Sequence, residues 1–372
     1  MNIKRLLALV LATLLALTAF SACDNDTAES DADSFSVTES TDVSSISTSE
    51  SDDGSAESVE SSDESVVSAT ESEIKDSTVI RIGGLKGPTT MGLVKLMEDA
   101  ANGNTDCNYA FTVEAAADAI TPLLVKGELD VIAIPANVAS VLYGKTNGAV
   151  QVLNINTLGV LYVVERGSSV KGVSDLKGKT IYATGKGTTP EYSLRYILSA
   201  NNIDPDKDVT IEWKSEATEV VAHLKTNEGA IAMLPQPFVT VAQTQVADLG
   251  IALNLNDEWN KTATESTMVT GVTIVRKAFA KEHPELIKAF LAEYKASTEY
   301  IVSNPEEASA WVEAKIGVKA PIAQKAIPYC NINFISGAEM KNKLEGYLSV
   351  LFEQNTASVG GAMPNADFYY EG

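Results

Sequence analysis

One strand-turn-helix pattern occurs twice in this chain, about a hundred residues apart, and it restricts the fold more than any other feature. Residues 79–82 read as a buried strand, Gly83-Gly84-Leu85-Lys86-Gly87-Pro88 as a turn, and Thr89-Thr90 opens an amphipathic helix through Met91, Val94 and Met97 to Gly103. Residues 109–113 form a second strand, 118–126 a helix with Gly127 as its C′ residue, and 130–134 a third strand ending at Pro135. The order then returns. Residues 180–183 are a strand, Thr184-Gly185-Lys186-Gly187 a turn, and Thr188-Thr189-Pro190 opens a helix stopped by Asp204-Pro205. A strand at 209–213, a helix at 217–225 ending before Gly229 and a strand at 230–234 lead to Pro235. The landmarks Thr89/Thr188, Gly127/Gly229 and Pro135/Pro235 are offset by 99, 102 and 100 residues.

Alternating β and α segments point to mainly parallel sheets, and the near-constant offsets to two similar α/β lobes. Sheets of this kind bind ligands outside the carboxyl ends of their strands, where the strand-to-helix turns gather. Two lobes facing each other set both groups of turns into one cleft. After Leu253 the chain is helical, at 284–301, 305–314 and 337–352, preceded by one strand at 269–275. A chain leaving the first lobe near Thr157 and returning near Glu265 makes two hinge crossovers. The expected division is 78–157 for the first part of lobe 1, 158–264 for lobe 2, and 265–372 for the return to lobe 1 with the C-terminal helices.

The segment ahead of the lobes concerns address rather than fold. Lys4 and Arg5 precede an apolar stretch at 6–19, then Phe20-Ser21-Ala22-Cys23, the layout of a signal peptide over residues 1–22. The stretch is too short for a comfortable membrane-spanning helix, which needs about 20 apolar residues. Cys23 after small residues resembles the lipobox of bacterial lipoproteins, which implies acylation of Cys23 (diacylglyceryl, palmitate) and attachment to the outer face of the cytoplasmic membrane. Residues 23–77 are expected to be a disordered, acidic, Ser-rich tether, too poor in apolar side chains to offset ordering entropy. Residues 24–77 hold 17 acidic side chains and one lysine, so a chain of net charge −22 has only −8 left in residues 78–372. Nucleic-acid binding is excluded by the absence of a basic patch. A long acidic leash fits a Gram-positive surface. His223 and His283 stand alone, leaving little material for a zinc site or a histidine-based triad. Cys107 and Cys330 are the cysteines left to form a disulfide or remain thiols.

A family resemblance rests on several strings in order. Asp175-Leu176-Lys177-Gly178-Lys179, the Gly-Thr-Thr turn, Asn202-Ile203-Asp204 and Val209-Thr210-Ile211 resemble the second-lobe core of the nitrate/sulfonate/taurine (and thiamine-precursor) family of ABC-transporter substrate-binding proteins. His283-Pro284-Glu285-Leu286-Ile287-Lys288-Ala289-Phe290-Leu291, Asn304-Pro305-Glu306-Glu307-Ala308, Gly360-Gly361-Ala362-Met363-Pro364 and Phe368-Tyr369-Tyr370 are similar to it too. The resemblance implies a periplasmic-binding-protein-like fold of type II topology. It also implies a monomer that hands a small solute, an oxyanion or sulfonate or a vitamin precursor, to a permease driven by an ATPase. The chain itself shows no Gly-Lys-Ser/Thr phosphate-binding motif.

Candidate ligand contacts follow from where the turns fall. Lys86, Gly87, Thr89, Thr90 and Met91 lie at a helix start, where unpaired N–H groups and a partial positive charge face forward. Gly187, Thr188 and Thr189 repeat that chemistry in the other lobe, with Pro190 placing Thr189 as a cap. Pro135 and Asn137, and Gln236 and Pro237, follow the last strand of each half repeat, and Asn137 and Gln236 can both donate and accept hydrogen bonds. Ser215 follows the strand ending at Trp213. Lys86 and Lys186 with two helix N-termini favour an anion. No cofactor, catalytic residue or metal ligand is expected. The competing readings are an extracellular enzyme on the same scaffold, for which no nucleophile-base pair is visible, and an adhesive or signalling lipoprotein.

Overall fold

The computed structural model describes residues 77–263 and 266–372. The signal peptide, the lipid on Cys23 and the acidic tether as far as residue 76 lie outside the described residues, as does Glu265. In chain order the described strands are β1 (Val79–Leu85), β2 (Asn108–Glu114), β3 (Val131–Pro135), β4 (Val150–Leu158), β5 (Leu161–Arg166), β6 (Thr180–Ala183), β7 (Thr210–Trp213), β8 (Ile231–Pro235), β9 (Leu249–Asn254), β10 (Val269–Arg276) and β11 (Ile332–Ile335). They form two sheets, ordered β11-β4-β10-β3-β1-β2 and β7-β6-β8-β5-β9.

The two orders repeat one plan. In the first sheet β2, β1 and β3 are parallel and β10 joins β3 antiparallel. In the second, β7, β6 and β8 are parallel and β5 joins β8 antiparallel. Equivalent positions even share register, with Ile82 opposite Val131 and Ile181 opposite Ile231. The antiparallel fourth strand arrives from the other sheet in both cases. β5 follows β4 after Gly159 and Val160, and β10 follows β9 and the helix Leu255–Thr262. This is a mixed α/β, periplasmic-binding-protein-like fold with two crossovers.

The central parallel strands β3 and β8 form because their runs are buried on both faces, as helix-covered sheets require, while β2 and β7 lie at the sheet edges and are only partly buried. Along β3, Ile132 and Ile134 enter one core while Val131 and Ala133 enter another. Along β8, Ile231 and Met233 share the first core with them, while Ala232 and Leu234 face a third. The shared core runs through both sheets and includes Leu194, Trp259 and Tyr347. The second lies against the helices Pro284–Ser303 and Pro305–Ile316, the third against Ala217–Thr226 and Phe238–Gln245.

Two local expectations are corrected. The helix expected from Thr89 to Gly103 is broken into Pro88–Met91 and Val94–Ala101. Ser297 Oγ donates to Gly92 O at 2.7 Å and accepts from Leu96 N–H at 3.0 Å, replacing the bond those two groups would make with each other. A side chain inserted in the i→i−4 ladder is a recognised cause of a helix break. The region after Leu253 also holds β11 besides β10.

Asp130 clamps the first sheet at the start of β3. Its fully buried carboxylate accepts from Arg81 Nε at 2.8 Å, Arg81 Nη2 at 2.7 Å and Arg276 Nη2 at 2.5 Å, tying β1 and β10 to β3. Burial works to raise its pKa, but the hydrogen bonds from Arg81 and Arg276 outweigh it and hold the carboxyl below the usual range. Cys107 and Cys330 are both buried and are not joined by a disulfide, so the disulfide reading is set aside.

Candidate functional site

The carboxyl end of β3 and the turn after β6 meet. β3 ends at Pro135, which caps the helix Ala136–Lys145, so Asn137 falls in that helix's first turn. β6 is followed by a turn and by the helix Thr189–Ala200. Asn137, 1 % exposed, donates from Nδ2 to Gly187 O at 3.3 Å and to Ser358 O at 3.2 Å. Thr189 Oγ1 has two acceptors in reach at 3.4 Å, Asn137 Oδ1 and Thr270 O on β10. Elements of both sheets are therefore joined through one amide and one hydroxyl, by bonds longer than the usual 2.9–3.0 Å.

Behind this contact lies an aromatic layer. Ser193, one turn beyond Thr189 on the same helix face, pairs with Tyr347 OH at 3.1 Å. The Trp259 ring centroid lies 5.2 Å from that of Tyr347 and 4.6 Å from that of Tyr196. Burial pushes the Tyr347 phenol up to about 12, against hydrogen bonds with Ser193 and Thr189 that act to lower it. Two polar atoms here have no hydrogen-bond partner in the structure, Trp259 Nε1 and Thr270 Oγ1. Buried polar groups are nearly always paired, so both are exceptions to the rule in this part of the structure.

The helix starts differ from their sequence reading. Gly87 caps a helix of only four residues, Pro88–Met91. Lys86 is exposed, and Lys186 at the other turn is exposed as well. Thr90 Oγ1 accepts from Leu85 N–H at 2.8 Å and so closes the turn, while Met91 is fully buried in the second core. Thr89 packs against Gly271, where an added Cβ would sit 2.4 Å from Thr89 Cγ2 and 2.5 Å from Asn156 Oδ1. In the second turn the cap is Thr188, not Thr189. Thr188 Oγ1 donates back to Gly185 O at 2.8 Å, and Pro190 occupies the second helical position. Thr189 is thereby released to face Asn137. Gly187 has φ +76, a left-handed conformation that suits glycine.

Glu191, buried in the first turn of that helix, accepts from Gly187 N–H through Oε2 at 2.7 Å and from Arg195 Nε through Oε1 at 2.9 Å. Gly187 thus gives its N–H to Glu191 and takes Asn137 on its carbonyl, through the peptide groups on either side of its Cα. Gln236 does not point outward. Its Oε1 accepts from Thr240 Oγ1 at 2.9 Å and from Thr240 N–H at 3.3 Å, and Pro237, cis to it, leads into Phe238–Gln245. Ser215 is exposed beyond β7, the edge strand of its sheet, and is not brought to the cluster. Thr270, Ser193, Tyr347, Trp259 and Tyr196 were not predicted. Only Ser193 carried a sequence signal, its four-residue spacing from Thr189.

Among the described residues no three His, Cys, Asp or Glu side chains are grouped to hold a metal ion, and no helix is long and apolar enough to cross a membrane. A groove of about 670 Å³ lies along the helix Thr189–Ala200 and the loop after it, lined in part by Tyr192, Arg195, Asp206 and Gln354, and none of Asn137, Thr189, Thr270 and Trp259 lines it.

The family model described as NMT1/THI5 like matches residues 145–308. No curated protein matches the chain significantly. Among solved structures, an ABC transporter protein from Parabacteroides distasonis is similar, with TM-score 0.66, 24 % identity and coverage of 79 % of this chain and 99 % of that one. The periplasmic aliphatic sulphonate binding protein of Escherichia coli superposes with TM-score 0.63 at 16 % identity, over 79 % of this chain and 93 % of that one. The periplasmic nitrate-binding protein of Synechocystis PCC 6803 does so with TM-score 0.51 at 15 % identity, over 66 % and 68 %. Residues 145–308, spanning both crossovers, thus carry an NMT1/THI5-like domain within a periplasmic-binding-protein-like fold.

Proposed function

We propose that this chain is the extracytoplasmic solute-binding component of an ABC importer, which captures a small molecule between its two lobes and delivers it unchanged to a permease. The observation that carries this is the cluster of Asn137, Thr189 and Thr270. It joins two sheets of the same plan through long bonds and leaves a buried hydroxyl and an indole N–H without partners. A ligand that satisfies those groups favours the closed arrangement by its differential affinity for it. The names of the similar structures, binding proteins for aliphatic sulphonate and for nitrate, support a solute of the oxyanion or sulfonate class, and the family resemblance adds a vitamin precursor as the alternative.

In this reading lobe 1 comprises 78–157 with 265–372 and lobe 2 comprises 158–264. Lys86, Gly87, Thr89 and Pro135 sit at the rim, and Asn137, Gly187 and Thr189 meet the solute. The protein acts as a monomer. The signal peptide 1–22 directs export, Cys23 carries the lipid, and 23–77 is the tether on the outer face of a Gram-positive-type membrane. A thermal-shift panel of sulfonates, nitrate, pyrimidines and flavins tests the capture reading. A ligand at 100 times its Kd adds about 2.7 kcal/mol, a rise of several degrees with the ligand recovered intact. A panel without any shift, or a ligand returned chemically altered, refutes it. Mass spectrometry of the membrane-bound protein tests the lipid on Cys23.

A further inference from the structure

The helix Thr189–Ala200 has twelve residues, long enough for its N-terminus to attract an anion. That end is already taken. Glu191 lies in its first turn, buried, with Oε2 on Gly187 N–H and Oε1 on Arg195 Nε. The carboxylate uses the amide that would otherwise cradle an oxyanion and places a negative charge where one would sit. Its partner Arg195 is turned outward to a second carboxylate, Asp206, at 2.8 Å. The two nearby lysines give no compensation, since Lys86 and Lys186 are exposed. What the cluster does offer is neutral. Thr270 Oγ1 and Trp259 Nε1 are buried and unpartnered, Thr189 and Asn137 are held only by long bonds, and Tyr347, Tyr196 and Trp259 supply rings.

We infer that Glu191 is a specificity-determining residue that rejects anions, so that the cleft takes an uncharged solute with hydrogen-bonding atoms and a flat face in preference to a sulfonate or other oxyanion. The inference rests on the solute-capture reading and narrows it. Two like charges sharing one site disfavour each other strongly, whereas a neutral group of the same shape meets no such penalty. Glu191→Gln keeps an oxygen for Gly187 N–H and removes the charge.

The test uses a pair of probes matched in shape, benzenesulfonate and benzenesulfonamide, with thermal shift and calorimetry on the full chain and on Glu191→Gln. The wild-type protein is expected to bind the sulfonamide at least tenfold more tightly than the sulfonate, and Glu191→Gln to gain sulfonate binding by tenfold or more. Glu191→Ser reports in the same way should the glutamine variant fail to fold. A wild-type protein that prefers the sulfonate overturns the role of Glu191 and leaves solute capture standing. A variant with no gain for the sulfonate overturns it likewise. No shift with either probe in any of the proteins, like any variant without a gain for the sulfonate, overturns the role of Glu191, while the solute-capture reading falls only with the full ligand panel.

Discussion

Replacing Asn137 by alanine removes the amide that joins the two lobes and nothing else of comparable reach. Its Nδ2 bonds Gly187 O at 3.3 Å and Ser358 O at 3.2 Å, and its Oδ1 lies 3.4 Å from Thr189 Oγ1. A neutral hydrogen bond of ordinary length contributes about 0.5–1.5 kcal/mol net; the bond to Ser358 stays within lobe 1, and the two that reach Gly187 and Thr189 are long, so those two together are worth about 1 kcal/mol. A change of that size shifts a two-state balance between closed and open lobes by a factor of about 5. Small-angle scattering of the unliganded protein should then show a larger radius of gyration for Asn137→Ala, with global stability to urea nearly unchanged. Asn137→Asp should open it further, because a carboxylate has no donor for the two carbonyls it would face. Scattering curves that superpose for all three proteins would refute the assignment. So would a loss of more than about 3 kcal/mol in urea without opening, which would make Asn137 a core residue rather than a latch.

Gly271→Ala should destabilise the protein by about 1–3 kcal/mol, the range for overpacking, because its Cβ would collide with Thr89 Cγ2 at 2.4 Å and Asn156 Oδ1 at 2.5 Å; urea melts measure it. Asp130→Asn should cost about 3 kcal/mol, the low end for a broken buried pair since Arg81 is still 40 % exposed. The Asp130 pKa is lowered in the folded state, so its stabilisation is complete above the unfolded carboxylate value of about 3.9 and fades as pH falls toward the folded one. Asp130→Asn should therefore lose stability less steeply than the wild type below pH 4. Cys330, whose thiol pKa burial raises, and the buried Cys107 should resist iodoacetamide at pH 8 in the native protein and react once it is unfolded.

The central parallel strands were legible because their side chains are apolar on both faces, and a run such as 131–134 leaves little else to be. β4 was not, since Gln151, Asn154, Asn156 and Thr157 interrupt it with polar residues that read as loop. Three of those four are fully or almost fully buried; Asn156 is satisfied by a partner no local rule supplies, Thr273 at 3.1 Å from its Nδ2, and its Oδ1 in turn accepts from the neighbouring Thr157 Oγ1 at 2.9 Å. The helix break at Gly92 was hidden for the same reason, because its cause, Ser297, lies some two hundred residues away. At the site, the turns were read in the right places but with the wrong side chains forward. Thr189 and Asn137 met as the repeat implied, whereas Gln236 found a closer partner in Thr240 and Ser215 was left beyond an edge strand whose position in the sheet the sequence pattern does not state.

The strand exchange explains why the contact between lobes falls where it does. β10 belongs to the first sheet but reaches it directly from the second, so Thr270 near its start stands beside the crossover and within reach of the helix that follows β6. β5 makes the reciprocal passage after Gly159, whose lack of a side chain admits Asn256 from the helix that precedes the return crossover; an added Cβ there would lie 2.4 Å from Asn256 Oδ1. The passage from β4 to β5 is therefore short and closely packed. In the proposed capture cycle a rotation about the crossovers would move the turns at Asn137 and Gly187 apart while the strands stay paired, breaking long hydrogen bonds and sparing the ladders. Gly187 is the joint in that arrangement: its N–H is fixed to Glu191 on the helix that follows, and its carbonyl, in the next peptide group, is the part that Asn137 holds.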